Sequence, residues 1–335
     1  MPEALKTAID NWMSPATVFG GSFVSLGVLY LGRRWFVRPV VATTIFALSL
    51  LFLGASLCDP EFAAIVLAPD NIPIVGMVYL LALLTWLATA QAVENDRRAL
   101  LGEPPREKQR GRRLFTWPDL VYSELICMVA VTTLLLAWSL LVPAPLEQPA
   151  NPAITPNPSK APWYFLGLQE LLFYSDAWLA GVAVPCLMVL GLMAIPYLDF
   201  NPEGSGYYTI AKRRFAYLVF QFGFLQLWIL LILVGTFFRG PNWGFFGLYE
   251  MRDPGTLPVL ENTSLPPAVG LILLAAYFVG LPLVLSATLM RGFRRRMGLV
   301  RFAVLIALLL LMFALPLKML LQWTLHVRHV LAWPG

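Results

Sequence analysis

The chain has 335 residues, of which 59% are hydrophobic and only 13% charged, and its mean hydropathy is +0.71. A soluble domain is about half apolar and about a quarter charged, and surface-to-volume scaling limits the apolar surplus that a soluble core can hide. A soluble globular protein is therefore excluded. The net charge of +5 does not point to nucleic acid either, because the basic residues lie between apolar stretches and mark membrane topology.

Eight apolar stretches lie near 15–32, 39–57, 73–93, 119–143, 177–197, 215–238, 266–290 and 299–325. Each is long enough, or nearly so, to cross a hydrocarbon core of about 30 Å as a helix. Barrel strands would alternate over about ten residues, and these runs do not. The expected fold class is all-α: a polytopic helical membrane protein of about eight transmembrane helices. The first stretch is the weakest, with Gly20, Gly21 and Gly27. It lacks a basic leader and a small-residue cleavage site, so it reads as a retained helix and not a signal peptide.

An even number of spans puts both termini on one side. The loops Arg33–Arg38, 97–113, Lys212–Arg214 and Arg291–Arg301 share the opposite face and carry 18 of the 24 basic residues. The positive-inside rule makes that face cytoplasmic and places both termini outside. Trp117, Trp138, Trp178 and Trp243 fall near span ends, as interfacial tryptophans do.

Two breaks in composition divide the chain. Residues 94–116 read as a basic cytoplasmic linker with too few apolar residues to pack. It separates a three-helix N-terminal membrane extension, 1–93, from central helices at 117–238 and from a two-helix extension with an outer tail, 239–335. The second break is the outer loop 143–162, with seven prolines. Proline fixes its own φ and restrains its predecessor, so the loop is extended and stiff. The apolar stretch that follows, 163–176 (WYFLGLQELLFYSD), is too short to span. It is expected as an amphipathic helix lying in the membrane interface.

Within the central helices, Trp117-Pro118-Asp119-Leu120-Val121-Tyr122 resembles the start of subunit IV of cytochrome b6f complexes, a relative of the C-terminal half of cytochrome b. Glu147-Gln148-Pro149-Ala150-Asn151-Pro152 with Thr155-Pro156 resembles the outer loop of that family. Ala161-Pro162-Trp163-Tyr164-Phe165 stands where the family carries its Pro-Glu-Trp-Tyr signature. The resemblance covers roughly 117–238 and implies that 143–176 contributes to an outer quinol-oxidation site. There a quinol gives one electron to a Rieske iron–sulfur protein and the other to a haem b.

On that resemblance, Pro162, Trp163, Tyr164, Phe165 and Tyr174 are the candidate quinone-binding residues. A quinone headgroup suits an apolar, aromatic-walled cleft with few polar groups. The signature's acidic residue is replaced by Pro162, which cannot take a proton. Glu170 is the nearest candidate proton acceptor, then Asp176, against a solvated or structurally paired carboxylate.

The family holds two transmembrane haems b with four histidines, whereas this chain has only His326 and His329. Their spacing puts them on one face if helical. With Trp323 and Trp333 nearby they suit an interfacial tail, and two residues make no structural zinc site. No haem or metal ligands are expected here. The resemblance then implies a cytochrome b6-like partner carrying the haems b, a Rieske 2Fe–2S protein and a c-type cytochrome, in a dimeric multi-subunit complex of a bacterial inner membrane.

Other polar residues in the spans have narrower readings. Glu124, about one turn into its span, is either a proton-delivery carboxylate or one paired with Arg112 or Arg113 at the interface. Gln221 and Gln226 are expected to bond between helices. Cys58, Cys127 and Cys186 form no disulfide framework, and Cys127 and Cys186 read as buried packing residues. No nucleotide loop, dinucleotide fingerprint or catalytic triad is present.

The leading expectation is a haem-free subunit of a quinol–cytochrome c oxidoreductase, not an enzyme alone. A structural subunit without quinol chemistry and a transporter are the alternatives.

Overall fold

The computed structural model describes residues 2–109, 114–143, 149, 151–153, 155–199, 208–253 and 263–331. Arg110, Arg112, Arg113, Pro145, Glu147, Gln148, Ala150 and Trp333, all used in the sequence reading, lie outside the described residues.

The protein is all-α and polytopic. Its main helices are α1 (Glu3–Trp12), α2 (Pro15–Leu31), α3 (Pro39–Ser56), α4 (Ile72–Leu100), α5 (Thr116–Leu141), α6 (Leu166–Tyr174), α7 (Leu179–Leu198), α8 (Arg214–Phe238), α9 (Pro267–Ala287) and α10 (Leu299–Leu325). Seven of these (α3–α5 and α7–α10) are long and apolar enough to cross a membrane, and α1 with α2, bent by 80°, makes an eighth if counted as one span. Pro15, Pro39 and Pro267 each stand at a helix start, where the missing N–H costs nothing. Asp59 caps the short helix Pro60–Val66, accepting from the Glu61 and Phe62 N–H groups at 3.0 and 3.1 Å.

The chain packs as two units that do not follow its linear order. The first comprises 1–27, 157–205 and 218–335; the second comprises 28–156 and 206–217. In the first, Phe19 of α2, Tyr174 of α6, Leu231 of α8 and Met319 of α10 form one buried cluster. A second cluster joins Phe302, Ile306 and Leu310 of α10 to Tyr277 and Leu285 of α9. There the Tyr277 hydroxyl donates to the Leu310 carbonyl at 2.6 Å. As expected, Gln226 bonds between helices: its amide donates to the Ser22 hydroxyl and the Phe19 carbonyl of α2.

In the second unit, α4 runs seven residues beyond the expected end at 93, and hydrogen bonds tie its end to the polar residues that follow as far as Glu107. Asn95, 4% exposed, donates to both Glu107 carboxylate oxygens at 3.0 and 2.9 Å and to the Tyr208 carbonyl at 2.9 Å. Its own oxygen accepts from the Arg106 N–H at 3.0 Å. Asp96 accepts from the Thr209 hydroxyl and the Ala211 N–H, at 2.6 and 2.9 Å. Hydrogen bonds do here what apolar packing does elsewhere, a substitution invisible to hydropathy.

Two further expectations change. Cys127 and Cys186 are exposed, not buried, because a spanning helix can turn apolar residues outward without meeting water. No residue of α5 is buried, and Glu124 is exposed. The histidine pair is not helical either. α10 ends at Leu325, His326 takes a left-handed backbone (φ 53), and β2 (Val327–His329) pairs in parallel with β1 (Thr263–Ser264). Both histidines are exposed.

Candidate functional site

The segment after the proline-rich loop is a turn followed by a helix. Pro162 is extended (φ −51, ψ 147), its carbonyl accepts from the Phe165 N–H at 2.8 Å, and a 3₁₀ turn over Trp163–Phe165 leads into α6. The buried residues of α6 are Leu166, Gly167, Glu170, Leu171 and Tyr174, one helical face repeating at three to four residues. Glycines allow that face to approach α8 closely. A Cβ at Gly167 would lie 3.6 Å from the Trp228 carbonyl, and one at Gly235 only 3.3 Å from Leu166.

At the centre of the buried face is a carboxylate. Glu170 is 0% and Arg239 2% exposed. Arg239, the first residue past α8, grips Glu170 with two parallel bonds: Nε to Oε2 at 2.8 Å and Nη2 to Oε1 at 2.6 Å. The Tyr174 hydroxyl donates to Oε1 at 3.1 Å and accepts from Arg239 Nη2 at 3.1 Å. Trp243 Nε1 donates to Oε2 at 3.0 Å, while the Trp243 carbonyl accepts from Arg239 Nη1 at 2.8 Å. The guanidinium also lies 4.4 Å from the ring centroid of Phe173, within cation–π range.

Each carboxylate oxygen thus has two donors, the full complement of a carboxylate. Burial raises the Tyr174 pKa well above that of a free phenol, and the Glu170 charge adds to the effect, so Tyr174 remains a donor. Burial alone would lower the Arg239 pKa, but the charge and hydrogen bonds of Glu170 raise it overall.

The turn that delivers Trp243 is strained: Asn242 and Trp243 both have positive φ, 54° and 56°. Non-glycine residues rarely adopt that region, so the surrounding contacts must hold it. One such contact is a reciprocal amide pair. Asn157 Nδ2 donates to Asn242 Oδ1 at 2.8 Å, and the Asn242 N–H donates to Asn157 Oδ1 at 2.7 Å. Lys160 donates to the Thr236 carbonyl at 2.8 Å. Gln169 accepts from the Ala161 N–H at 2.8 Å and donates to the Ser159 carbonyl at 2.7 Å. The end of the proline-rich loop is therefore anchored by three side chains.

The candidates named from sequence fall into two groups. Pro162, Trp163, Tyr164 and Phe165 are exposed together, with the Tyr164 and Phe165 ring centroids 4.7 Å apart and those of Trp163 and Tyr164 5.6 Å apart. Glu170 and Tyr174 face the other way. Tyr174, expected beside the aromatics in a quinone cleft, is 2% exposed. It lies four residues after Glu170 and so shares the buried face, offering no surface to a ligand in this state. Asp176 is exposed and accepts from the Trp178 N–H at 2.9 Å.

Sequence reasoning missed Arg239, Trp243, Gln169 and Asn157. A signal existed for the first: a carboxylate in an apolar helix needs a cation, and Arg239 is one of only six basic residues outside the four basic loops. Among the described residues, no group of three or more His, Cys, Asp or Glu side chains comes together to hold a metal.

The fold and this site define a multi-pass membrane protein with a short, buried-anchored helix preceding the span α7. Residues 149–237, about a quarter of the chain, match the family described as cytochrome b(C-terminal)/b6/petD. That segment is similar to a cytochrome b C-terminal or subunit IV domain, and it contains α6 and the whole exposed aromatic edge. No solved structure matches the chain.

Proposed function

We propose that the chain is a haem-free membrane subunit of a quinol–cytochrome c, or similar acceptor, oxidoreductase of the cytochrome bc type. The observation that carries this reading is the exposed aromatic edge Trp163–Tyr164–Phe165, inside the family-matched segment and continuous with the anchored helix α6. A quinol ring takes up such an edge by stacking and apolar contact, and a rigid support keeps the contact geometry. This chain would bind and orient the headgroup and exclude water. The haems b and the Rieske 2Fe–2S cluster of partner chains would receive the electrons. In this reading the protein lies in a bacterial inner membrane with both termini outside, and a c-type cytochrome and a second copy of the complex complete the assembly.

The test is purification of the intact complex through this chain, with reduced-minus-oxidised spectra, Rieske EPR and quinol oxidation rates. Tyr164→Leu should raise the quinol KM on the order of tenfold. A preparation with neither haem b nor a Rieske signal sinks the reading. A second reading, a structural subunit without quinol chemistry, draws on Pro162 at the position of the signature acid and on the saturated carboxylate of Glu170. Haems present without inhibitor-sensitive oxidation at the outer site would select it.

A further inference from the structure

Glu170 is the only carboxylate on α6 and follows the aromatic edge by five residues, which invites a role in taking the quinol proton. The geometry points elsewhere. All four donors to Glu170 come from within the protein: two from Arg239, one from Tyr174 and one from Trp243. To meet a substrate, the carboxylate would have to leave a bidentate pair and turn through the packed core of the first unit. Arg239 and Trp243 thereby connect α6 to the end of α8 and to the turn at Asn242–Trp243. That turn is itself tied to Asn157, near the end of the proline-rich loop that leads into the aromatic segment.

We propose that Arg239 and Trp243 are positioning residues that hold Glu170 as a hydrogen-bonded strut, fixing the edge Trp163–Phe165 in place. The proposal rests on the quinol-site reading for its kinetic consequences, but not for its structural ones. Arg239 and Trp243 touch no substrate; they act through Glu170 and α6. A strut is defined by its pairing and not by its proton. Neutral side chains that still bond to each other can therefore replace it, whereas they cannot replace a base.

Three variants of the intact complex separate the two roles: Glu170→Gln, Arg239→Gln and the double variant. As a strut, each single variant raises the quinol KM more than it lowers kcat, by up to about a hundredfold in kcat/KM. The double variant recovers most of that loss, because no buried charge is left unpaired. Trp243→Phe, which removes one donor of four, gives a smaller loss of the same kind. A double variant as slow as Glu170→Gln alone, with kcat and not KM reduced, overturns the proposal and makes Glu170 the proton acceptor.

A second measurement works without turnover. A nitroxide is attached at Leu172→Cys, on the outward face of α6, after Cys58, Cys127 and Cys186 are replaced by serine. Its EPR spectrum should sharpen in Arg239→Gln and broaden again in the double variant. An unchanged spectrum in Arg239→Gln overturns the strut even if the complex oxidises quinol. The expected sharpening in a complex that oxidises no quinol leaves the strut standing and removes only the quinol reading. Arg239→Lys keeps the charge without the fork, so it provides a folded comparison if Arg239→Gln is poorly assembled.

Discussion

Two carboxylates organise two polar clusters in this protein, by different means. Glu170 is fully buried, and its partners are a cation, a phenol and an indole. Glu107 is only partly buried, and its side-chain partners are the amides of Gln91 and Asn95. The first cluster trades a large desolvation cost against charge pairing, so it is intolerant of losing either ion. The second spreads a small cost over neutral donors and should fail gradually. Burial, not the number of hydrogen bonds, separates them.

The sharpest way to break the comparison is Arg239→Met. It leaves Glu170 buried without its counter-ion and should destabilise the purified protein by about 3–5 kcal/mol in thermal unfolding. Glu170→Leu with Arg239→Met should lie much closer to wild type, since a well-packed apolar pair can replace an ion pair at little cost. Next comes Asn95→Ala, which removes the hub of the other cluster. About 1–3 kcal/mol is expected, together with faster proteolysis of residues 103–109. Trp243→Phe should cost about 1 kcal/mol, because Arg239 Nε still occupies Glu170 Oε2.

The smallest effect is a pH dependence. Burial alone would raise the pKa of Glu107, but its backbone hydrogen bond and those from Asn95 and Gln91 outweigh that and set it below its ordinary value of 4.5. A carboxylate with a depressed folded pKa contributes stability that is present above its unfolded value. That stability is lost as pH falls through the folded one. Hydrogen exchange of 103–109, corrected for intrinsic rate, should therefore accelerate below about pH 4.5, by an amount worth less than about 1 kcal/mol for a group that solvent still screens. Acceleration that begins at neutral pH would assign the network to another group.

The span pattern was legible from residues alone. The stretches near 39–57, 119–143 and 299–325 correspond to helices at Pro39–Ser56, Thr116–Leu141 and Leu299–Leu325, because a hydrocarbon layer demands runs of about 20 apolar residues. The short helix after the proline-rich loop was equally readable. The packing of the flanking helices was not. Phe19 and Met319 come from outside the family-matched segment, yet they share a buried cluster with Tyr174 and Leu231 inside it. Apolar periodicity cannot say which of several apolar faces meets which. Nor could it foresee that the one charged side chain of α6, Glu170, lies on its buried face.

By itself, then, the sequence determined the membrane class, the approximate placing of the spans, and the local form of the segment around Trp163. Those depend on the solvent surrounding each residue and on its near neighbours. Only the tertiary structure decided that Glu170 meets Arg239, 69 residues away, and that Tyr174 turns inward while Tyr164 turns out. A buried charge takes its partner from whatever the packing of α6 against α8 brings within reach, and no local pattern records that choice.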